Sequence, residues 1–198
     1  MNPQYGDGKT SLDPDEAEGL IPTHISTRDE LNEWEQTNIL QAQQWAFPRT
    51  RKRKTSEILD SAFVKELHRR MFDDTWEWAG CFRLSDKNIG VPWQQITEEV
   101  HNLCENARYW LEQEVLETRK AAARFHSGLA HTHPFPNGNG RHARLMTDVL
   151  LDACGHPRFT WGGGDLHKAG DVRRQYIAAL QAADDNTFEP LFRFLDCT

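Results

Sequence analysis

The sequence predicts a mainly α-helical bundle with one small β-hairpin. Apolar residues recur at three- and four-residue steps through most of the chain beyond residue 27, the period of a helix with one buried face. Proline and glycine punctuate the boundaries of those segments. A single stretch, Arg83 to Trp93, joins turn residues to a short polar-to-apolar run and suits a hairpin. No internal repeat or low-complexity tract competes with this reading.

Residues 1–22 carry glycine, proline and acidic side chains and are expected to lie as an extended arm. Thr27 and Glu30 have the spacing of a capping box. The helix behind them places Leu31, Trp34, Ile39 and Leu40 and runs to about Trp45, with Pro48 as its stop. The basic run Arg49, Arg51, Lys52, Arg53, Lys54 reads as a solvated connector. Residues 1–54 therefore form an N-terminal arm and helix, a candidate regulatory segment, ahead of a main domain over 55–198. Thr55 or Ser56 caps a second helix in which Leu59, Phe63, Leu67 and Met71 repeat at four-residue steps. Aromatic residues then concentrate between Phe72 and Trp93. A third helix, about Thr97 to Val115, shows Val100, Leu103, Ala107, Trp110 and Leu111 on one face. The fourth, about Lys120 to His131, uses Phe125 and Leu129 and delivers His133 to a loop. The fifth, Arg141 to Ala153, repeats Leu145, Met146, Val149, Leu150 and Ala153 until Gly155 and Pro157 stop it. A flexible loop at Gly162 to Gly164 precedes two last helices, about Asp171–Ala183 and Phe188–Asp196.

Composition sets the outer limits. At 198 residues the chain is long enough for one domain with a real core and an extension. No apolar stretch approaches the roughly 18 residues of a membrane span. The polar start, MNPQYGDGKT, lacks the pattern of a secretory leader. Cys81, Cys104, Cys154 and Cys197 lie far apart, without metal-ligand spacing, and read as reduced thiols. A cytoplasmic protein is expected. The net charge of −7 argues against general nucleic-acid binding.

The chemistry concentrates in His133-Pro134-Phe135-Pro136-Asn137-Gly138-Asn139-Gly140-Arg141. Gly138 and Gly140 permit a ligand to approach the main chain closely. Their N–H groups, beside a helix N-terminus, make a concavity suited to phosphate. Arg141 is a cation in a first turn, where the helix dipole disfavours it, which points to an anionic ligand. Its guanidinium fork suits phosphate oxygens, and Arg144, one turn on, can join it. His133 accepts a proton near neutral pH, and Phe135 reads as a plug fixing the loop to the core. His126, His131 and His142 lie near His133, and a rival reading takes the His131-Thr132-His133 pair, with Asp148 or Asp152 as carboxylates, as ligands of a phosphohydrolase metal, but it leaves Gly-Asn-Gly-Arg without a role.

The nonapeptide resembles the signature of the Fic/Doc superfamily, HPFx[D/E]GNGR, with eight of nine positions compatible. The similarity extends through Trp78-Ala79-Gly80, Phe82-Arg83 and Ser85 to Trp93, and through the tail from Tyr176 by Asn186 to Leu195, covering roughly Thr55 to Asp196. Within the family the chain looks closest to the type called mobile mystery protein B, a likeness that also draws on Asp13-Pro14-Asp15-Glu16-Ala17-Glu18-Gly19. The resemblance implies a helical Fic domain over 55–198 with a β-hairpin flap. It implies transfer of AMP from ATP to a hydroxyl side chain of a target protein, with His133 as general base. Gly138, Asn139, Gly140 and Arg141 would hold the phosphates, and Mg²⁺ would bridge them. Tyr176 and Ile177 would line the adenine pocket, with Asp184 near the base. Asn88, Ile89, Gly90 and Val91 would dock the target by strand addition. Asn137 stands where the family has an acidic metal ligand, so metal affinity is expected to fall unless the triphosphate supplies most donors. Another nucleotide or phosphate donor, or a catalytically idle interaction module, is the alternative this departure opens. The family's restraining glutamate is sought at Glu18 or Glu30, with a separate antitoxin chain as the alternative.

Overall fold

The N-terminal helix owes its start to a capping box and its burial to polar residues. Glu30 accepts hydrogen bonds from the Ser26 and Thr27 N–H groups at 2.9 Å each, and Thr27 Oγ1 accepts from the Glu30 N–H at 3.2 Å. The resulting helix α1 (Arg28–Thr50) passes through Pro48 and ends two residues later. The buried face shares Ile39 with the one the apolar spacing suggested but is turned away from Trp34 and Leu40. Glu35, Asn38, Ile39, Ala42 and Ala46 are buried, whereas Leu40 is 49% exposed. The physical reason is a polar contact. Thr75 donates to Asn38 Oδ1 at 3.0 Å and the Trp76 indole N–H donates to Glu35 Oε1 at 2.8 Å, so both polar side chains are satisfied inside.

This computed structural model describes residues 17–50, 53–164, 166 and 170–197. Most of the expected arm (residues 1–16), and Arg51 and Lys52 of the basic run, lie outside the described residues. Of that run Arg53 is described, its guanidinium over the rings of Trp45 and Phe63 at 5.4 and 5.0 Å. The remaining helices are α2 (Thr55–Ile58), α3 (Ser61–Phe72), α4 (Ile96–Glu112), α5 (Thr118–Thr132), α6 (Asn139–Ala153), α7 (Asp171–Asp184) and α8 (Glu189–Phe194). The second expected helix is thus broken into α2 and α3. Asp60 sits in extended backbone between them, and its carboxylate accepts from the Ala62 N–H at 2.6 Å, capping α3.

Helices α5 and α6 form the centre. Helix α4 covers α5, α1 and α3 flank α6, and α7 with α8 closes the other side of α5. Ala121, Ala122 and Ala123 keep α5 slim, and Gly128 lets it approach Leu103, where a Cβ would come within 2.5 Å. Helix α1 contributes Ile39, Ala42 and Ala46 to the same core. The glycine-rich stretch after α6 is a short 3₁₀ turn, Trp161–Gly163, with Gly162 against the Phe194 ring.

The expected hairpin is absent. Among the described residues the only β pairing is an isolated antiparallel bridge, Leu20 to Trp76. Residues 83–92 wrap around one buried cation instead. Arg83 donates from Nε to the His133 carbonyl at 2.8 Å, from Nη1 to the Ser85 carbonyl at 2.8 Å, and from Nη2 to the Val91 carbonyl. A carbonyl held by a guanidinium inside the turn is not presented to a cross-strand neighbour, so no ladder forms.

Candidate active site

The loop between α5 and α6 is fixed from inside. Pro134 disfavours right-handed helix at His133. His133 takes the left-handed conformation instead (φ 52°, ψ 57°) and closes α5 through its N–H on the Leu129 carbonyl at 3.3 Å. A non-glycine residue there is strained and must be held by its surroundings. Arg83 provides part of that hold through the His133 carbonyl. Gly90, at φ +98°, lies so close over His133 that a Cβ would meet that of His133 at 2.6 Å.

Beyond His133, Phe135 is fully buried and stacks on His68, ring centroids 3.7 Å apart. His68 Nδ1 accepts from the Gly80 N–H at 3.0 Å, which leaves Nε2 to donate to the Asn137 carbonyl at 3.1 Å. Asn139 closes the loop. Its Oδ1 accepts from the Phe135 N–H at 2.8 Å, and its Nδ2 donates to the Phe135 carbonyl at 2.7 Å. Gly138 stands at φ +76° against the Phe72 ring, where a Cβ would come within 2.5 Å. The first N–H groups of α6, which lack carbonyls one turn earlier, are thereby set at the end of this loop.

Burial decides the ionisation of the histidines. Desolvation lowers the His133 pKa to about 4, with the Arg83 charge adding to it and the Ala130 carbonyl opposing. The ring is therefore uncharged at neutral pH and free to accept a proton, while burial makes it a weaker base than an exposed imidazole. Nδ1 lies 3.3 Å from the Ala130 carbonyl, so the proton sits there and Nε2 is the basic nitrogen. Burial also lowers His126 and His142 to about 3 each, and His68 well below its ordinary value.

An open cleft of about 1660 Å³ gathers the candidate residues. His133, Asn137, Gly138, Asn139, Gly140, Arg141, Arg144, Tyr176, Ile177 and Asp184 all line it, with Ile89 and Gly90 at its edge. Asn88 and Val91 do not line it. Several of these side chains have other partners than expected. The Asn139 amide is spent on Phe135, so it shapes the cradle and does not reach into it. Asn137 Oδ1 accepts from the Gly138 N–H at 2.6 Å. It is a neutral oxygen turned back on its own loop, a poor fit to a resident Mg²⁺ site. Among the described residues, no three His, Cys, Asp or Glu side chains converge as metal ligands. The phosphohydrolase reading loses its ligand set with that. The Tyr176 hydroxyl points inward, 2.9 Å from His126 Nε2, and Asp184 pairs with His131 Nδ1 at 3.0 Å on the rim.

Neither glutamate proposed as a restraint meets the motif arginine. Glu18 is exposed, and Glu30 is spent on the α1 capping box. The acid that does meet it is Glu35. Arg141 Nη1 lies 2.6 Å from Glu35 Oε2, with the side chains 17% and 3% exposed, while Glu35 Oε1 takes the Trp76 indole. The signal in the sequence was a carboxylate four residues after Leu31 and four before Ile39, on a face that helical spacing buries. It resembles a surface charge until a partner is known.

The comparisons with known proteins agree with this geometry. Residues 58–151 match the model of the Fic/DOC family. The protein adenylyltransferase Fic of Aedes aegypti is 32% identical over 141 residues, 68% of this chain and 27% of that protein. Its namesake from Drosophila mojavensis is 32% identical over 141 residues, 68% of this chain and 26% of that protein. The chain thus spans about a quarter of the length of the curated relatives it matches. Among solved structures, the N-terminal Fic domain of a putative cell filamentation protein from Bartonella quintana superposes with a TM-score of 0.67 at 22% identity, covering 91% of each chain. BepC from Bartonella tribocorum, solved with bound AMPPNP, gives 0.63 at 22% identity over 87% of this chain and 88% of that one. The central helices α5 and α6 and the loop joining them lie where that match falls: residues 58–151 of this chain are a Fic/DOC family region.

Proposed function

We propose that the chain is a protein adenylyltransferase that moves AMP from ATP to a hydroxyl of a target protein. His133 Nε2 takes the proton of a serine, threonine or tyrosine hydroxyl as its oxygen attacks the α-phosphorus. A new O–P bond forms, the bond from the α-phosphorus to its bridging oxygen breaks, and pyrophosphate leaves. The N-terminus of α6 and the Arg141 and Arg144 guanidiniums face the charge that develops on the phosphates. The observation that carries this reading is the placement of a neutral, buried His133 at one end of a nine-residue loop whose other end is an anion cradle. The names of the curated relatives support the same reaction. Magnesium enters only as the counter-ion of the triphosphate, since Asn137 offers no charge and its side-chain oxygen is engaged. That same residue is the reason to test other nucleoside triphosphates as donors.

Four narrower readings accompany it. Residues 1–54 act as the regulatory segment and 55–198 as the transferase domain, a division of role and not of folding, because α1 lies in the common core. Self-restraint works through Glu35, which occupies Arg141 where distal phosphates would bind; a separate antitoxin chain is the other route to restraint. The setting is the bacterial cytoplasm, with reduced thiols, and the flap edge at Ile89 and Gly90 receives the target segment. Incubation of the protein with α-labelled ATP and a bacterial lysate tests the reaction. Label should appear on protein with the wild type and vanish with His133→Ala. Bands that persist in the variant would remove His133 as the base. Running GTP, CTP and UTP in parallel measures donor choice.

A further inference from the structure

Behind the cleft lies a strained turn that the proposed reaction does not use. Trp161 opens the 3₁₀ turn that ends at Gly163, and its backbone is left-handed at φ 53°. A bulky aromatic residue is strained there and must be held by its surroundings. Two contacts hold it. The Trp161 indole N–H is shared between both carboxylate oxygens of Asp148, at 3.2 Å each, from the second half of α6. The indole also lies against the His126 ring of α5, centroids 4.7 Å apart. Neither Trp161 nor Asp148 lines the cleft.

From Trp161 the contacts close into a ring that includes one wall of the cleft. His126 is completely buried. Thr147 spends its hydroxyl proton on the Ala143 carbonyl at 2.7 Å, so His126 Nδ1, 3.4 Å away, donates to the Thr147 oxygen. His126 Nε2 is then an acceptor, and the Tyr176 O–H donates to it at 2.9 Å. The Tyr176 ring packs on Phe194 of α8, centroids 5.7 Å apart. Phe194 in turn lies against Gly162, the residue after Trp161, where a Cβ would come within 2.7 Å of its ring. Tyr176 is thus held between His126 and Phe194, and the turn at Trp161 and Gly162 backs both.

The cleft has two chemically different parts. At the start of α6 it is polar, with Gly138, Gly140 and Arg141; on the α7 side it offers the side chains of Leu166, Tyr176 and Ile177. Phosphates suit the first part, and a flat heterocycle suits the second. We infer that Asp148 is a positioning residue that, by clamping Trp161, holds the Tyr176 wall in place for the base of the bound nucleotide. This rests on the reading of the cleft as a nucleoside triphosphate site. The influence passes through ring packing and one hydrogen bond and leaves the phosphate cradle untouched. Helix α6 then serves both ends of the ligand, presenting the cradle at its start and fixing the opposite wall through Asp148.

The test compares the two parts of the ligand. ATP and inorganic triphosphate are titrated calorimetrically against the full chain and three variants. Trp161→Phe keeps a ring on His126 and loses the indole N–H. Asp148→Leu keeps the bulk and loses both acceptor oxygens, whereas Asp148→Asn keeps one. With Trp161→Phe and with Asp148→Leu, ATP binding should weaken about fivefold, while triphosphate binding stays within about twofold. Asp148→Asn should bind ATP within about twofold of the wild type. Equal losses for the two probes in Trp161→Phe, or no loss for either, would overturn the inference, because a loosened fold does not single out the base. A wild type that binds both probes, with the same ratio of affinities in every variant, sinks the inference alone. A wild type that binds neither probe sinks the nucleotide reading and the inference with it.

Discussion

Arg141 and Glu35 show how one pairing sets the resting state of the cleft. An ion pair this buried is costly to break by deletion, because the surviving charge is left without a partner. Glu35→Gln is the gentler change, since its amide oxygen still accepts from the Trp76 indole while the negative charge is gone. Arg141 then has only the triphosphate as a counter-charge. ATP affinity should rise about tenfold, a gain of about 1.4 kcal/mol, and self-labelling should increase with it. The melting temperature without ATP should fall. An ATP titration that leaves the affinity unchanged would show that Glu35 is a structural acid and no restraint.

At the scale of elements, the segment 83–92 is held by a cation and not by strand pairing. Arg83→Lys keeps the charge but cannot reach three carbonyls in different directions. Hydrogen bonds to charged groups are worth about 1.5–3 kcal/mol each. Losing two of the three should lower stability by a few kcal/mol at most and release the turn that carries Ile89 and Gly90. His133 would lose its carbonyl anchor at the same time. The expected outcome is a rise in KM for the protein target larger than the rise in KM for ATP, measured by label transfer at varied concentrations of each. A target KM that stays put while urea stability drops would confine Arg83 to a folding role.

For the whole molecule, the buried histidines give stability a definite pH dependence. His68, His126, His133 and His142 all have folded pKa values depressed by burial, below an unfolded value near 6.5. Between those limits the unfolded chain binds more protons than the folded one. Their stabilisation is therefore intact above about pH 6.5 and is lost as pH falls toward 4 and 3. Asp148 opposes them, since burial raises it to about 6 and protonation on the way down favours the fold. Four groups against one decide the sign. Urea midpoints should fall steadily from pH 7 to pH 4, and a midpoint that is flat or rising over that range would contradict the burial of these rings.

The helices were legible because helix formation is governed by neighbours three and four residues away, and those neighbours are printed in order. The motif loop was legible for the same reason: His133, Gly138, Gly140 and Arg141 lie within nine residues, and their chemistry converges without help from distant parts. The face that α1 buries was not legible, because Asn38 and Glu35 are satisfied by Thr75 and Trp76, about 40 residues on. The same holds for the form of the flap, which depends on where Arg83 finds its carbonyls, and for the pKa of His133, which depends on burial by elements from across the chain. Local order in the sequence was enough to specify the helices and to mark the loop that holds His133, Gly138, Gly140 and Arg141. Which acid meets Arg141, across a separation of 106 residues, was left to packing, because a charge on a helix has no partner until two distant segments are brought into contact.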